Sequence, residues 1–233
     1  MGRAVKAFPS PVAGGSPRGL LLEGIPGSGK STIFATLRSA RRVAARDEPS
    51  RFFLSEHLTQ RVLERAHRSG SLNPADHREH LGRLVGDIRA HRDALADRGF
   101  AGGGKTGILY AMERFHLTHA IYYPHLSWDH VEGIDRDLGE LGCRLCLLTA
   151  DAADLRRRLL RPRWPGWLAY IQGYGSNPGE IVAHYRSQQE EYIALLERSC
   201  LPQLIVDTSR LGRDAALRRI LDFWISEHPE GLM

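Results

Sequence analysis

Residues 20–37, LLLEGIPGSGKSTIFATL, constrain this chain more than any other stretch. An apolar run, Leu20 to Leu22, leads into Gly24-Ile25-Pro26-Gly27-Ser28-Gly29-Lys30-Ser31-Thr32, and a helix-compatible segment with Ile33, Phe34 and Leu37 follows. This is the phosphate-loop pattern in its strand, loop, helix setting. Gly24, Gly27 and Gly29 let the backbone adopt positive φ and turn successive N–H groups toward an anion. Lys30 supplies a mobile ammonium, Ser31 a hydroxyl suited to magnesium, and the next helix offers its positive end. Packing alone does not ask for that combination. Lysine is otherwise scarce: Lys6, Lys30 and Lys105 are the only three among 32 basic residues, so a lysine at this position is not filler.

A second stretch, Gly99-Phe-Ala-Gly-Gly-Gly-Lys105-Thr106, fits the same pattern, but in the reverse setting. A polar helical segment precedes it and the apolar run ILYAM follows. A loop that enters a parallel strand lies at the wrong edge of the sheet for a ligand, so 99–107 reads as a helix-to-strand connection. At 233 residues, 42% hydrophobic and 25% charged, the chain suits one globular domain over 18–233, preceded by a flexible tail at 1–17. No apolar run reaches 18 residues, and the first residues lack the apolar core of a signal peptide, so no membrane partner and a cytoplasmic address are expected. Cys143 and Cys146 have C-x-x-C spacing inside an apolar strand-like run with no second pair nearby, and they read as buried thiols. The formal charge of +5 does not by itself call for nucleic acid, and none is expected as a partner.

Apolar runs near 20, 52, 109, 145 and 204, separated by helical patterns, predict a five-stranded parallel sheet with helices on both faces. Helices are expected at 31–46, 58–68, 74–98, 152–163 and 180–199, with another closing the chain. Glu56 ends the second strand, where a carboxylate either serves as a general base toward an attacking hydroxyl or merely caps the next helix. Glu113 and Arg114 end the third strand, and an acid–base pair at that edge favours a functional role. His77, His80 and His91 read as solvated, and His116, His119, His125 and His130 as surface or pocket residues. Arg157 and Arg161 lie one helical turn apart with Arg163 just beyond, before the turn WPGW. They suit a lid over transferring phosphate at about 157–178, or an Arg-rich solvated helix.

With phosphate loop, strand-end Glu, Glu-Arg and Arg-x-x-x-Arg-x-Arg in that order, residues 18–225 resemble the P-loop nucleoside and nucleoside-monophosphate kinases. The likeness is to deoxynucleoside and thymidylate kinases. It implies a three-layer P-loop NTPase fold with an Arg-rich lid, and ATP and Mg2+ as cofactors. It also implies Glu56 as activator of the acceptor hydroxyl, Ser31 and Glu113 near magnesium, Arg114 at the acceptor oxygen, and Arg157, Arg161 and Arg163 as lid arginines. Asp207 and Thr208 would lie where the donor adenine sits. The Pro-Val and Trp usual beside the strand-two Glu are absent, and His119-Ala120 replaces the expected Asp-Arg pair. The acceptor therefore stays open. It is a nucleoside, nucleotide or similar small molecule placed between the 56 region, the 74–98 helix and Arg114, or an antibiotic or other specialised metabolite. A nucleotide-binding regulatory protein is the reading from another class. The sequence leaves the oligomeric state open, a homodimer included.

Overall fold

The computed structural model describes residues 17–44, 50–97 and 107–225. In chain order the elements are β1 Arg18–Glu23, α1 Lys30–Ser39, α2 Arg41–Ala44, β2 Ser50–Leu54 and α3 Glu56–Thr59. They continue with α4 Glu64–Arg68, α5 Pro74–Asp97, β3 Ile108–Glu113, α6 His116–Tyr122, α7 Trp128–Glu140 and β4 Cys143–Thr149. The last are α8 Ala152–Leu159, α9 Trp167–Gln172, α10 Pro178–Arg198, β5 Gln203–Asp207 and α11 Arg213–Ile225. The strands form one parallel sheet in the order β2-β3-β1-β4-β5. This is the three-layer P-loop NTPase arrangement, with β1 and its loop in the middle.

Side-chain alternation divides the core. Leu20, Leu22, Leu109, Ala111, Cys146 and Leu148 face α1 and α11, while Leu21, Tyr110, Met112, Leu145 and Leu147 face α5, α7 and α10. Both faces of the central strands are thus covered, which is why those strands read as unbroken apolar runs. The centre is tight at Gly19, where a Cβ would fall 2.1 Å from Tyr110 Cζ. That ring lies across the glycine and donates its hydroxyl to Leu141 O at the end of α7, 3.1 Å away.

Three helices differ from the sequence expectation. The segment expected as one helix over 31–46 breaks at Ala40, whose ψ of 130° leaves the helical region, and residues 45 and 46 fall outside the described residues. The segment 58–68 divides into the end of α3, a 3-10 turn at Arg61–Leu63 and α4. The helix expected over 152–163 ends at Leu159, ahead of Pro162, which cannot continue a helical hydrogen-bond ladder. The glycine loop at 99–106 and the tail at 1–16 also lie outside the described residues. Among those described, no helix is long and apolar enough to cross a membrane.

Candidate active site

The carboxyl ends of β1, β2, β3 and β5 open onto one cleft of about 1160 Å³. Its floor is the loop after β1. There Gly24 has φ +133°, and a Cβ would lie 2.4 Å from Leu148 O on the neighbouring strand, so that position requires glycine. Gly27 and Gly29 also take positive φ, and Gly29 hands the chain into α1. Lys30 is buried, and its ammonium donates to Ile25 O at 2.7 Å. Burial holds its pKa well below the usual lysine value, helped by nearby Arg114, while Glu113 and Glu56 pull the other way. Ser28 Oγ is buried with no hydrogen-bond partner among the described residues. Thr32 lines the cleft, and its carbonyl accepts from Thr36.

Glu113 is buried at the end of β3, and its Oε1 accepts the Ser31 hydroxyl at 2.7 Å. Two hard oxygen donors at the helix start and strand end fit magnesium, which binds through few protein oxygens and keeps several waters. Next in sequence, Arg114 has φ +54°, the one non-glycine positive φ among the described residues. Its Nε lies 2.7 Å from Glu56 Oε2, while Arg61 reaches Glu56 Oε1 at 2.6 Å. Burial pushes the Glu56 pKa up, but Arg114, Arg61 and Lys30 outweigh it, and the carboxyl sits below its usual range. The helix-capping reading of Glu56 is not what forms: Ser55 holds the N-cap, and the Glu56 side chain goes to the two arginines.

The lid region differs from the expected arrangement. Arg161 lies beyond the end of α8, and it and Arg163 line the cleft. The Arg163 guanidinium sits 4.6 Å from the Trp167 ring centroid and close above Gly27. Arg157 does not line the cleft; it is 72% exposed and pairs with Asp154 at 2.6 Å. The arginine that hydrogen-bonds the phosphate loop is Arg158. Its guanidinium donates to Gly27 O at 3.2 Å, Thr208 Oγ1 at 2.7 Å, Thr208 O at 2.9 Å and Asp154 Oδ2 at 2.6 Å. The periodicity of Leu155 and Leu159, both buried, was the signal for it, because Arg158 adjoins them on the inner face while Arg157 turns outward. The WPGW turn is anchored by Trp167, which is buried and donates Nε1–H to Leu159 O at 2.7 Å. Thr208 lines the cleft with Leu211 and Ala216, whereas Asp207 accepts from Ser209 N and pairs with Arg210.

The wall opposite the lid arginines also departs from expectation, since no residue of α5 lines the cleft. Gln60, Arg61, Glu64 and His67 do so, opposite Tyr122 and Tyr170, whose hydroxyls meet at 2.9 Å. His77, expected in solvent, is fully buried, as are His116 and His119. His119 Nε2–H donates to Thr59 O at 2.9 Å, so its Nδ1 accepts from His77 Nδ1–H at 3.0 Å, and His77 Nε2 accepts from His125 at 3.1 Å. Burial and the neighbouring histidines bring the His77 pKa down to about 4 and that of His119 to about 3. Among the described residues no three His, Cys, Asp or Glu side chains form a metal-holding group. These imidazoles are a neutral hydrogen-bonded wall behind α3.

No protein-family model matches the chain, and no curated protein matches it. Solved structures similar to it include the YorR protein of Bacillus subtilis in complex with phosphorylated GDP, at 18% identity and a TM-score of 0.49. That alignment covers 87% of this chain and 93% of the other. Another is shikimate kinase from Acinetobacter baumannii in complex with shikimate, at 15% identity and a TM-score of 0.47, covering 90% of this chain and 93% of that one. The functional reading rests on the site's own geometry.

Proposed function

We propose that this chain is an ATP- and magnesium-dependent phosphotransferase acting on a small molecule. The observation that carries the reading is the meeting of three groups in one cleft. These are a glycine-built phosphate loop with Lys30 at its head, Ser31 with the buried Glu113 bound behind it at 2.7 Å, and the Glu56–Arg114 pair. The donor would lie along Gly24 to Thr32, with its base toward Thr208, Leu211 and Ala216, and the acceptor between Glu56, Gln60 and Tyr122. Ser31 and Glu113 would hold magnesium, which when bound neutralises charge on the donor phosphates.

In this reading Lys30 leaves the Ile25 carbonyl to meet the transferring phosphate, and Arg158, Arg161 and Arg163 face the spreading charge from the other wall. Glu56 accepts the acceptor's O–H and aims the oxygen at phosphorus. Its depressed pKa makes it a weak base, which suits a transfer whose loose transition state asks for orientation before proton removal. Arg114 keeps Glu56 ionised and in place. The acceptor class is a nucleoside, nucleotide or comparable hydroxyl-bearing metabolite.

Purified protein incubated with ATP, Mg2+ and a panel of nucleosides, nucleotides and hydroxylated metabolites is expected to phosphorylate at least one of them. Lys30→Ala is expected to lower kcat about 100-fold or more and Glu56→Gln by about 10- to 100-fold. Full activity in both variants sinks the assignment of roles. ATP binding without transfer to any acceptor favours the regulatory reading.

A further inference from the structure

Glu23, the last residue of β1, is fully buried and is no part of the cleft wall. Its two oxygens accept three hydrogen bonds. Oε1 takes Phe115 N–H at 2.9 Å and Thr118 N–H at 3.4 Å, and Oε2 takes the Thr118 hydroxyl at 2.5 Å. Tyr192 of α10 then donates to Thr118 Oγ1 at 2.7 Å. A buried carboxyl group is costly unless its oxygens are occupied, and this one is occupied by the backbone that follows Arg114.

The position has a geometric consequence. The β1–β3 ladder pairs Leu22 with Glu113 and runs one step further through Arg114 N–H to Leu22 O at 3.1 Å. Immediately afterwards Glu23 catches Phe115 N–H, so Arg114 is held between two fixed points. One is a ladder bond on its own amide, and the other is a carboxyl bond on the next amide. Arg114 takes its left-handed φ of +54° within that span, and such a conformation persists only where surroundings over-determine it. It turns the guanidinium toward Glu56. Glu23 is also bonded directly to Gly24, so one residue ties the start of the phosphate loop to the arginine on the acceptor side.

We infer that Glu23 is a positioning residue: by hydrogen-bonding the Phe115 and Thr118 amides it fixes the Arg114 turn, and thereby the Arg114–Glu56 pair, relative to the phosphate loop. Its kinetic consequence rests on the phosphotransferase reading, whereas its geometric consequence does not.

Two substitutions separate reach from charge. Glu23→Gln keeps an acceptor at the same distance without the charge, and the Thr118 hydroxyl can turn to accept from the new amide. Glu23→Asp keeps the charge but ends about 1.5 Å short, one C–C bond. Both variants are first checked for a cooperative unfolding transition. Side-chain Nε–H resonances of arginine, recorded without nucleotide, are the first readout, with the Arg114 signal identified by its loss in Arg114→Lys. That signal is expected to stay at its wild-type shift in Glu23→Gln and to move or broaden in Glu23→Asp. In turnover, Glu23→Asp is expected to lower kcat by about tenfold or more with the KM for ATP within about threefold, and Glu23→Gln to retain most of kcat. Combined with Arg114→Ala, Glu23→Asp is expected to add no further loss.

A folded Glu23→Gln variant that loses the Arg114 signal overturns the inference, as does a Glu23→Asp variant that keeps it, or losses that multiply in the double variant. Should Glu23→Asp fail to fold, the Glu23→Gln spectrum still decides. Should the wild type transfer phosphate to nothing, the function proposed above fails while the resonance test of Glu23 stands.

Discussion

Arg157 and Arg158 are adjacent in sequence and have opposite roles in the structure. The first extends into solvent beside Asp154; the second bridges the phosphate loop and the segment after β5. Hydrogen bonds from charged groups contribute about 1.5–3 kcal/mol, so Arg158→Ala is expected to raise the KM for ATP by roughly tenfold or more. Arg157→Ala, which removes an exposed ion pair, is expected to leave it within about twofold. Steady-state kinetics on the two variants checks both outcomes, and equal effects would contradict the placement. Glu56 belongs to the same scale. A carboxylate beyond the second strand was legible from the pattern, although it opens α3 rather than ending β2, and its two arginine partners were not, because Arg61 and Arg114 are brought to it by different elements.

At the scale of elements, α3 is short and depends on what stands behind it. Thr59 at its end donates to Glu113 O at 2.5 Å and receives His119 Nε2–H, so the segment bearing Glu56 is pinned to β3 and α6. His77 from α5 and His125 extend that pinning outward. In the folded protein His77 and His119 protonate only near pH 4 and 3, whereas in the unfolded chain a histidine protonates near 6.5. The unfolded state therefore binds more protons between these values, and stability is lost as pH falls below about 6.5, at up to about 1.4 kcal/mol per unit for each group. Urea unfolding at pH 7, 6 and 5 is expected to show this slope, and His77→Gln to flatten it. Unperturbed carboxylates titrate below about 4.5, so they do not account for a loss in that window. A midpoint that does not move from pH 7 to 5 would contradict the buried neutral chain. His77 was misread from sequence because α5 is polar overall. A residue's burial on such a helix depends on the face that another element covers, here α6 and the corner at Tyr123.

For the molecule as a whole, the sheet order places β1 between β3 and β4, and the cleft exists because that order brings Glu113 and Arg114 beside the phosphate loop. The contact between Gly19 and the Tyr110 ring sits at the centre of this arrangement. Gly19→Ala is expected to destabilise the protein by about 1–3 kcal/mol through overpacking, read as a lower urea midpoint, with the folded fraction still binding nucleotide. An unchanged midpoint would mean that the ring can move away at no cost.

The five strands, their parallel pairing, the phosphate loop and the candidate carboxylates at 56 and 113 were determined by the sequence alone. Each of these rests on local pattern: an apolar period, a glycine that permits one backbone turn, or a residue type at a strand end. Tertiary structure decided which arginine hydrogen-bonds the loop, which histidines leave water, and that α3 and α4 rather than α5 line the cleft. It also decided that Glu23, in the sequence only the residue before a glycine, holds Arg114 in a left-handed turn. Those outcomes depend on pairs 42 to 131 positions apart in the chain, such as His77–His119 and Gly27–Arg158, and no local periodicity encodes which distant group will occupy a side chain's last hydrogen bond.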